Sequence, residues 1–356
     1  MLKESVTIKN LMDIFNLEIV KGVKNKKRIT NFEKNKMLYL TNMYNDLVDG
    51  TYNGGNYNIF LVFHPKIRVI MAQPLYDKTI NHFVARNILE PKLTKYLSDK
   101  NTATRKGMGT SYAINLLKDY IELNKKYEKF YFLKLDIKKY FFNIDHAVLK
   151  SLIINDLDTD EYKLMCSIID STNKEYVNKV IEEYNKKYKD LPYYKQGKGL
   201  PIGNMTSQFL ATFYLHKLHH YIINNLKIKH MIVYMDDYIL IHPDKEYLKY
   251  CLSEIEEILK NEYKLELNVK KTHIKSSTEG VSFLGYTFKV INKKTIIKMN
   301  TSVKRNIAKQ IKKDKYLYKN DKISLGSLFT SIMTYKNGYV FASHKEIENI
   351  LERYWY

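Results

Sequence analysis

The chain has 356 residues, enough for two or three subdomains around a sizeable core, and its 45% hydrophobic content excludes a disordered protein. With 59 Lys+Arg against 38 Asp+Glu the formal charge is +21, which points to a polyanionic partner, nucleic acid before a basic structural role or an anionic membrane surface. Cys166 and Cys251 stand far apart without metal-ligand spacing and read as ordinary buried thiols. The N-terminus MLKESVTIKNLMDIF is amphipathic and no apolar run reaches spanning length, so a soluble, cytoplasmic protein with no membrane partner is expected.

Residues 1–57 mix helix-like segments with the basic cluster KGVKNKKR and end in the polar loop TYNGGNYN. NIFLVFHPKIRVIMAQP (58–74) holds two β-rich runs broken by HPK, which predicts a hairpin. A helical pattern runs from Leu75 to about Tyr96, and the glycine loop RKGMGTS (105–111) leads to a second helix ending near Leu123. KFYFLKLDI (129–137) predicts a strand, HAVLKSLIIND a helix, and the charged, tyrosine-rich stretch 171–194 a solvated helix and loop. GLPIGNMTSQ is a turn-rich entry to one long helix, FLATFYLHKLHHYIINNL. MIVYMDDYILI (231–241) predicts two short strands about an MDD turn, followed by a helix through EYLKYCLSEIEEILKNEY. LELNVKKTHIKSS and VSFLGYTFKVI predict strands, and the basic tail after about Asn292 predicts mainly helix. Strands separated by helices, with a late hairpin, indicate an α+β architecture in which a sheet is backed by helices.

Two features carry chemistry. Asp236 and Asp237 interrupt an apolar run, where charge is costly unless it sits at a turn or holds a partner. Asp136 ends another apolar strand, just before a chain reversal. Taken singly, each has a plain structural explanation: a turn, or a helix cap. If the two strands share a sheet, the three carboxylates converge and repel one another unless hard divalent cations sit between them, Mg²⁺ being usual beside phosphates. Two ions about 3.5–4 Å apart would activate a 3′-hydroxyl and stabilise departing pyrophosphate. In so basic a chain this suggests nucleotidyl transfer.

An ordered set of motifs resembles the reverse transcriptase family over roughly residues 58–290. It comprises PKIRVI (65–70) with PLYDKTI (74–80), RKGMGT (105–110), LDIKKYFFNIDH (135–146), QGKGLPIGNMTSQFLA (196–211), YMDD (234–237), LELNVKKT (265–272) and FLGY (283–286). The resemblance implies a right-hand polymerase fold: a basic N-terminal extension (1–57), fingers (58–128), a palm of antiparallel sheet backed by helices (129–290, with a fingers-like insertion near 171–200) and a short helical thumb (291–356). It implies RNA-directed DNA synthesis from dNTPs on a template RNA with a primer and an RNA–DNA duplex, using two Mg²⁺ or Mn²⁺ ions.

The same resemblance assigns residues. Asp136, Asp236 and Asp237 are implied to be catalytic, and with Ile137 to form the metal set. Lys66 and Arg68 match cations that hold the incoming triphosphate, and Phe141 matches the aromatic that excludes a ribose 2′-hydroxyl. Gln196 and Lys271 match positions near the nucleotide. Arg105, Gly107, Asn204, Gln208, Gly285 and Tyr286 match positions along template or primer, with packing an equal alternative for the last of these. Gly197 and Pro201 belong to the loop near nucleotide and template. The motifs leave no endonuclease, RNase H or protease region, so a compact bacterial-type enzyme is expected. The loop PIGN-x-TSQ resembles the error-prone diversity-generating retroelement branch, whose enzymes act with a small accessory protein. Antiphage-defence enzymes, the alternative that a noncoding RNA partner would favour, share much of the set, and a retron or group II intron-like enzyme is a further alternative. A silent RNA-binding polymerase fold is the reading from another class.

Overall fold

The computed structural model describes residues 2–23, 25–63, 66–338, 341 and 344–355. His64 and Pro65, at the break of the predicted hairpin, lie outside the described residues. The chain forms two compact units: Met1–Lys106 with Asp136–Lys227 and Ser253–Asn268, and Gly107–Leu135 with Ile228–Leu252 and Val269–Tyr356. Among the described residues no helix is long and apolar enough to cross a membrane.

The first unit is mostly helical. Helices Lys36–Val48 and Leu75–Val84 bury apolar residues three and four apart, Leu40 with Met43 and Ile80 with Phe83 and Val84, as a one-sided core requires. A hairpin pairs β1 (Asn58–Val62) with β2 (Arg68–Ala72), Val62 facing Arg68. Val69 and Met71 of β2 pack with Tyr57, Val177, Ile181 and Tyr194. The stretch 171–194 is therefore not merely solvated. Its helix Glu175–Asn185 turns Val177 and Ile181, one helical turn apart, into the core and leaves its charges outside. The expected long helix is two, Met205–Tyr214 and His216–Asn224, parted at Leu215 (φ −102°, ψ 16°). The His216 ring stacks on Phe213 at 4.2 Å between centroids across that break.

The second unit carries two antiparallel sheets. In the first, β3 (Tyr131–Asp136), β4 (His230–Tyr234), β5 (Asp237–His242) and β6 (His273–Ser276) lie in the order β4-β5-β3-β6. The second is β7 (Val281–Phe283), β8 (Tyr286–Ile291) and β9 (Lys294–Met299), in sequence order. Helix Thr110–Asn124 contributes Ala113, Ile114 and Leu117 to a core with Phe132, Ile232, Ile239, Phe283 and Phe288.

Three strand expectations are corrected. Asp237 already pairs with Tyr234, so the turn is Met235–Asp236 rather than MDD. Of LELNVKKTHIKSS only the last part is a strand, because residues 265–268 leave the sheet and bind the chain after β3 instead, through the Ile137↔Leu267 bridge. The tail after Asn292 opens with β9 before its helices: Asn292 and Lys293 take φ 50° and 59°, which folds KTIIKM back on β8. Helix Thr301–Lys319 then buries Ile307, Ala308 and Ile311 and leaves most of its lysines in solvent.

Candidate active site

The β4–β5 hairpin is a rigid mount for two acids. Met231, Ile232, Val233, Ile239 and Leu240 are fully buried, whereas the residues from Tyr234 to Asp237 are half-buried. Register Tyr234↔Asp237 leaves a two-residue turn, the tightest that can join such strands. Met235 takes φ 59° there, a conformation that crowds a side chain and costs roughly 1–2 kcal/mol. The Thr110 hydroxyl donates to the Tyr234 hydroxyl oxygen at 3.4 Å, beside the turn.

In the sheet, β3 is the other neighbour of β5. Side chains of a strand alternate, so Lys134 and Asp136 share one face of β3. The Lys134 ammonium reaches Asp237, 3.0 Å from Oδ1 and 3.3 Å from Oδ2, and donates to the Ser282 carbonyl at 2.6 Å. That pairing sets the end of β3 against the start of β5. Asp136 itself is held by Asn268: its carbonyl accepts the Asn268 N–H at 2.7 Å and its Oδ1 accepts from Asn268 Nδ2 at 3.0 Å. Among the described residues no group of three or more His, Cys, Asp or Glu side chains stands within reach of one metal ion. Carboxylate oxygens such as those of Asp236 and Asp237 are hard donors, the kind that suits Mg²⁺ or Mn²⁺. Ile137 is buried and bridged to Leu267, so only its backbone could serve a metal.

Lys134 escaped the sequence reading. Its signal was present: a cation inside the apolar run YFLKLD, two residues before an acid. On the next strand His273 faces Lys134 in register. Burial first, then Lys275 and Lys134, push its imidazole below the usual histidine range.

The other predicted residues divide into exposed and buried. Lys66 and Arg68 are exposed on the β1–β2 hairpin. Phe141 lies half-buried on the short helix Tyr140–Asn143, edge-on to Tyr140 at 6.0 Å, while Tyr140 is locked by its hydroxyl donating to the Ala211 carbonyl at 2.6 Å. Gln208, Gly107 and Lys271 are exposed, Gln196 is accessible at the rim of its loop, and Pro201 is buried. The Gly197 N–H donates to Asn173 Oδ1 at 2.9 Å. In the same loop the Ile202 carbonyl accepts the Met71 N–H at 2.9 Å, and a Cβ at Gly203 (φ 133°) would stand 2.9 Å from the Met71 carbonyl oxygen, so only glycine fits without movement.

Three of the predicted nucleic-acid positions are engaged within the protein. Asn204 is 1% exposed and its Nδ2 donates to the Tyr57 hydroxyl at 3.0 Å, so it braces the loop from inside. Tyr286 is 2% exposed, in the core edge-on to Phe341, because it pairs with Phe283 on the buried face of its hairpin. Arg105 spends Nη1 on the carbonyls of Ser98 (2.8 Å) and Asn101 (3.4 Å), closing its own loop. Gly285 (φ 89°) serves the turn next to Tyr286.

The sequence pattern of the reverse transcriptase (RNA-dependent DNA polymerase) family matches residues 63–288. No curated protein matches the chain. Among solved structures, apo telomerase from Candida tropicalis truncated from its C-terminal domain is 16% identical, covering 69% of this chain and 55% of that one, with a TM-score of 0.49. Telomerase from Candida albicans with a TWJ fragment of telomeric RNA is 15% identical, covering 74% and 51%, with a TM-score of 0.47. The chain spans about half the length of these proteins. Its α+β architecture is that of the right-hand polymerases, and the chain belongs to the reverse transcriptase family.

Proposed function

We propose that this chain is an RNA-directed DNA polymerase that copies a template RNA into DNA from a primer, using dNTPs. The carrying observation is the two-residue Met235–Asp236 turn, which puts two acids at the edge of a buried hairpin whose neighbour in the sheet, β3, ends in Asp136. An apolar mount of this rigidity is what positioned carboxylates require. Asp136, Asp236 and Asp237, with the Ile137 backbone, would hold Mg²⁺ or Mn²⁺. When bound, two such ions supply charge neutralisation on the phosphates and activation of the 3′-hydroxyl. Lys66 and Arg68, exposed on their hairpin, would offset triphosphate charge, and the half-buried ring of Phe141 would exclude a ribose 2′-hydroxyl. Gln196 and Lys271 would approach the nucleotide, and Gly107, Gln208 and Gly285 the nucleic acid. Lys304, Arg305, Lys309, Lys312 and Lys313 space cations along Thr301–Lys319, suited to a duplex backbone. Residues 58–128 act as fingers, 129–290 as palm and 291–356 as thumb. The setting is cytoplasmic.

The test is primer extension on an RNA template. Extension should need dNTPs, and Asp236→Ala should abolish it; equal extension by both proteins would leave an RNA-binding polymerase fold without chemistry. Phe141→Ala should admit rNTPs, and wild-type use of both nucleotide kinds alike would remove Phe141 from that role.

Within the family we read the chain as the error-prone enzyme of a diversity-generating retroelement, acting with a small accessory protein. The support is the loop PIGN-x-TSQ, whose backbone is fastened to β2 at Met71 and Ile202. A loop so fastened transmits its own sequence changes to the hairpin that carries Lys66 and Arg68. Sequencing of its cDNA should find errors concentrated opposite template adenine. Uniform errors would favour a defence or retron-like enzyme.

A further inference from the structure

A second basic surface lies wholly within the first unit and contains none of the residues assigned above. It is a groove of about 840 Å³ whose fourteen lining residues include Lys138, Lys139, Lys189, Lys195, Lys198 and Lys264, against only two acids, Asp190 and Glu266. Lys and Arg together are 59 of the 356 residues, about one in six, whereas lysine alone is six of fourteen here. General basicity does not account for that concentration.

Three segments form the groove, and each is pinned by backbone. Residues 264–268 are tied to the chain after β3 by Lys138 N–H donating to the Glu266 carbonyl at 2.9 Å and by the Ile137↔Leu267 bridge. Residues 197–200 run beside 141–146: the Gly199 N–H donates to the Ile144 carbonyl and the Leu200 N–H to the Phe141 carbonyl, both at 2.7 Å. The 185–191 turn is closed by Asn185, whose side chain accepts from the Leu191 N–H at 2.8 Å and donates to its carbonyl at 3.2 Å. The lysines are thus displayed on a preformed frame, which lowers the ordering cost of a bound ligand.

The charges are far from balanced. Lys138 pairs with Glu266 at 2.9 Å and Lys264 with Asp145 at 3.2 Å. Lys139, Lys189, Lys195 and Lys198 have no carboxylate within ion-pair distance among the described residues. Glu266 registers the field: hydrogen bonding to Lys138, its charge, and the charges of Lys195 and Lys198 hold that carboxyl below its usual range. Cations crowded in one groove repel unless an extended anion neutralises several together. Tyr193, 46% exposed on the same wall, offers a face on which a base can stack.

We propose that this groove binds a single-stranded nucleic acid segment, its phosphates on the lysines and one base on Tyr193. Spread over three chain segments, the cations match a phosphate backbone that repeats along a groove rather than the single cluster of a free triphosphate.

The test uses the full chain and a labelled single-stranded RNA oligonucleotide. Binding is measured over a salt series with no nucleotide or divalent cation present, so a failure here leaves the polymerase reading untouched. Replacing Lys189, Lys195 and Lys198 by Ala should weaken binding and reduce the slope of log K against log salt by about 2, roughly 0.7 for each phosphate no longer neutralised. The triple Lys→Arg protein keeps the charge and should keep the slope. Tyr193→Ala should weaken binding several-fold with the slope unchanged. An unchanged affinity and slope in the triple Ala protein would overturn the proposal. So would displacement of the RNA by inorganic triphosphate as readily as by unlabelled RNA, which would assign the groove to a free polyphosphate.

Discussion

Two hairpins of the second unit use the same backbone device for opposite ends. β4–β5 closes at Tyr234↔Asp237 around Met235–Asp236, and β7–β8 closes at Phe283↔Tyr286 around Leu284–Gly285. Both turns have two residues, and both force a non-glycine side chain to positive φ, 59° at Met235 and 46° at Leu284. They differ in what the first residue of the returning strand does. Asp237 stays half-buried beside the Lys134 ammonium, whereas Tyr286 enters the core beside Phe341. A tight turn therefore does not by itself mark a functional site. What sets the acidic turn apart is charge held against a buried strand with a partner supplied to keep it there.

That contrast can be broken by mutation. The largest stability effect should come from the packing hairpin: Tyr286→Ala should cost about 3–5 kcal/mol in urea unfolding. Asp236→Asn, at the half-buried acidic turn, keeps the side chain's size and lies outside the packed core, so it should change stability by about 0.5 kcal/mol or less. If the two losses were equal, both hairpins would be structural. Next comes the ion pair. Lys134→Met strands the Asp237 carboxylate and should cost about 1–3 kcal/mol, much of it recovered when Asp237→Asn is added. Simple additivity of the two changes would show that the pair carries no coupling.

The turns themselves should respond in opposite directions. Gly285→Ala puts a Cβ at φ 89° and should destabilise by about 1–2 kcal/mol. Met235→Gly relieves the crowding at φ 59° and should stabilise by up to about 1 kcal/mol, net of the entropy glycine adds to the unfolded chain. A loss on Met235→Gly would mean that the methionine packs usefully at the acidic turn. The smallest effect concerns pH. His273 faces Lys134, and its folded imidazole titrates below the ordinary value, chiefly because it is buried. Its contribution is complete above about pH 6.5, the unfolded value, and is lost as pH falls through the folded one. His273→Gln should flatten the fall in stability on acidification, read as Tm against pH, and an unchanged slope would exclude that contribution.

Much of this was legible in the sequence, for physical reasons. Strict apolar runs bounded by turn residues gave β1–β5 and the helices behind them, and the order of the motifs gave the family. The acids of MIVYMDDYILI were conspicuous because charge inside an apolar run needs a cause. Legibility failed where side chains serve two masters. KTIIKM carries strand alternation under lysines that read as helix surface, and Asn292–Lys293 holds no glycine to announce its turn. Asn204 and Tyr286 look like polar or aromatic ligand-binding residues until burial turns them inward. Lys134 showed only as a cation in an apolar run, and the lysine groove not at all, because their meaning lies in residues distant along the chain. Lys134 and Asp237 are 103 residues apart, and the groove joins segments near 138, 195 and 264.

The acidic turn is proposed to do chemistry, and primer extension on an RNA template with dNTPs and Mg²⁺ decides it. Wild-type protein should extend the primer to the template end, while Asp236→Ala, folded to the same Tm, should lose activity by at least about 10³-fold, the scale on which removing one electrostatic stabiliser of a transition state acts. Matching extension by the two proteins, or none by either across the divalent metals, would contradict it.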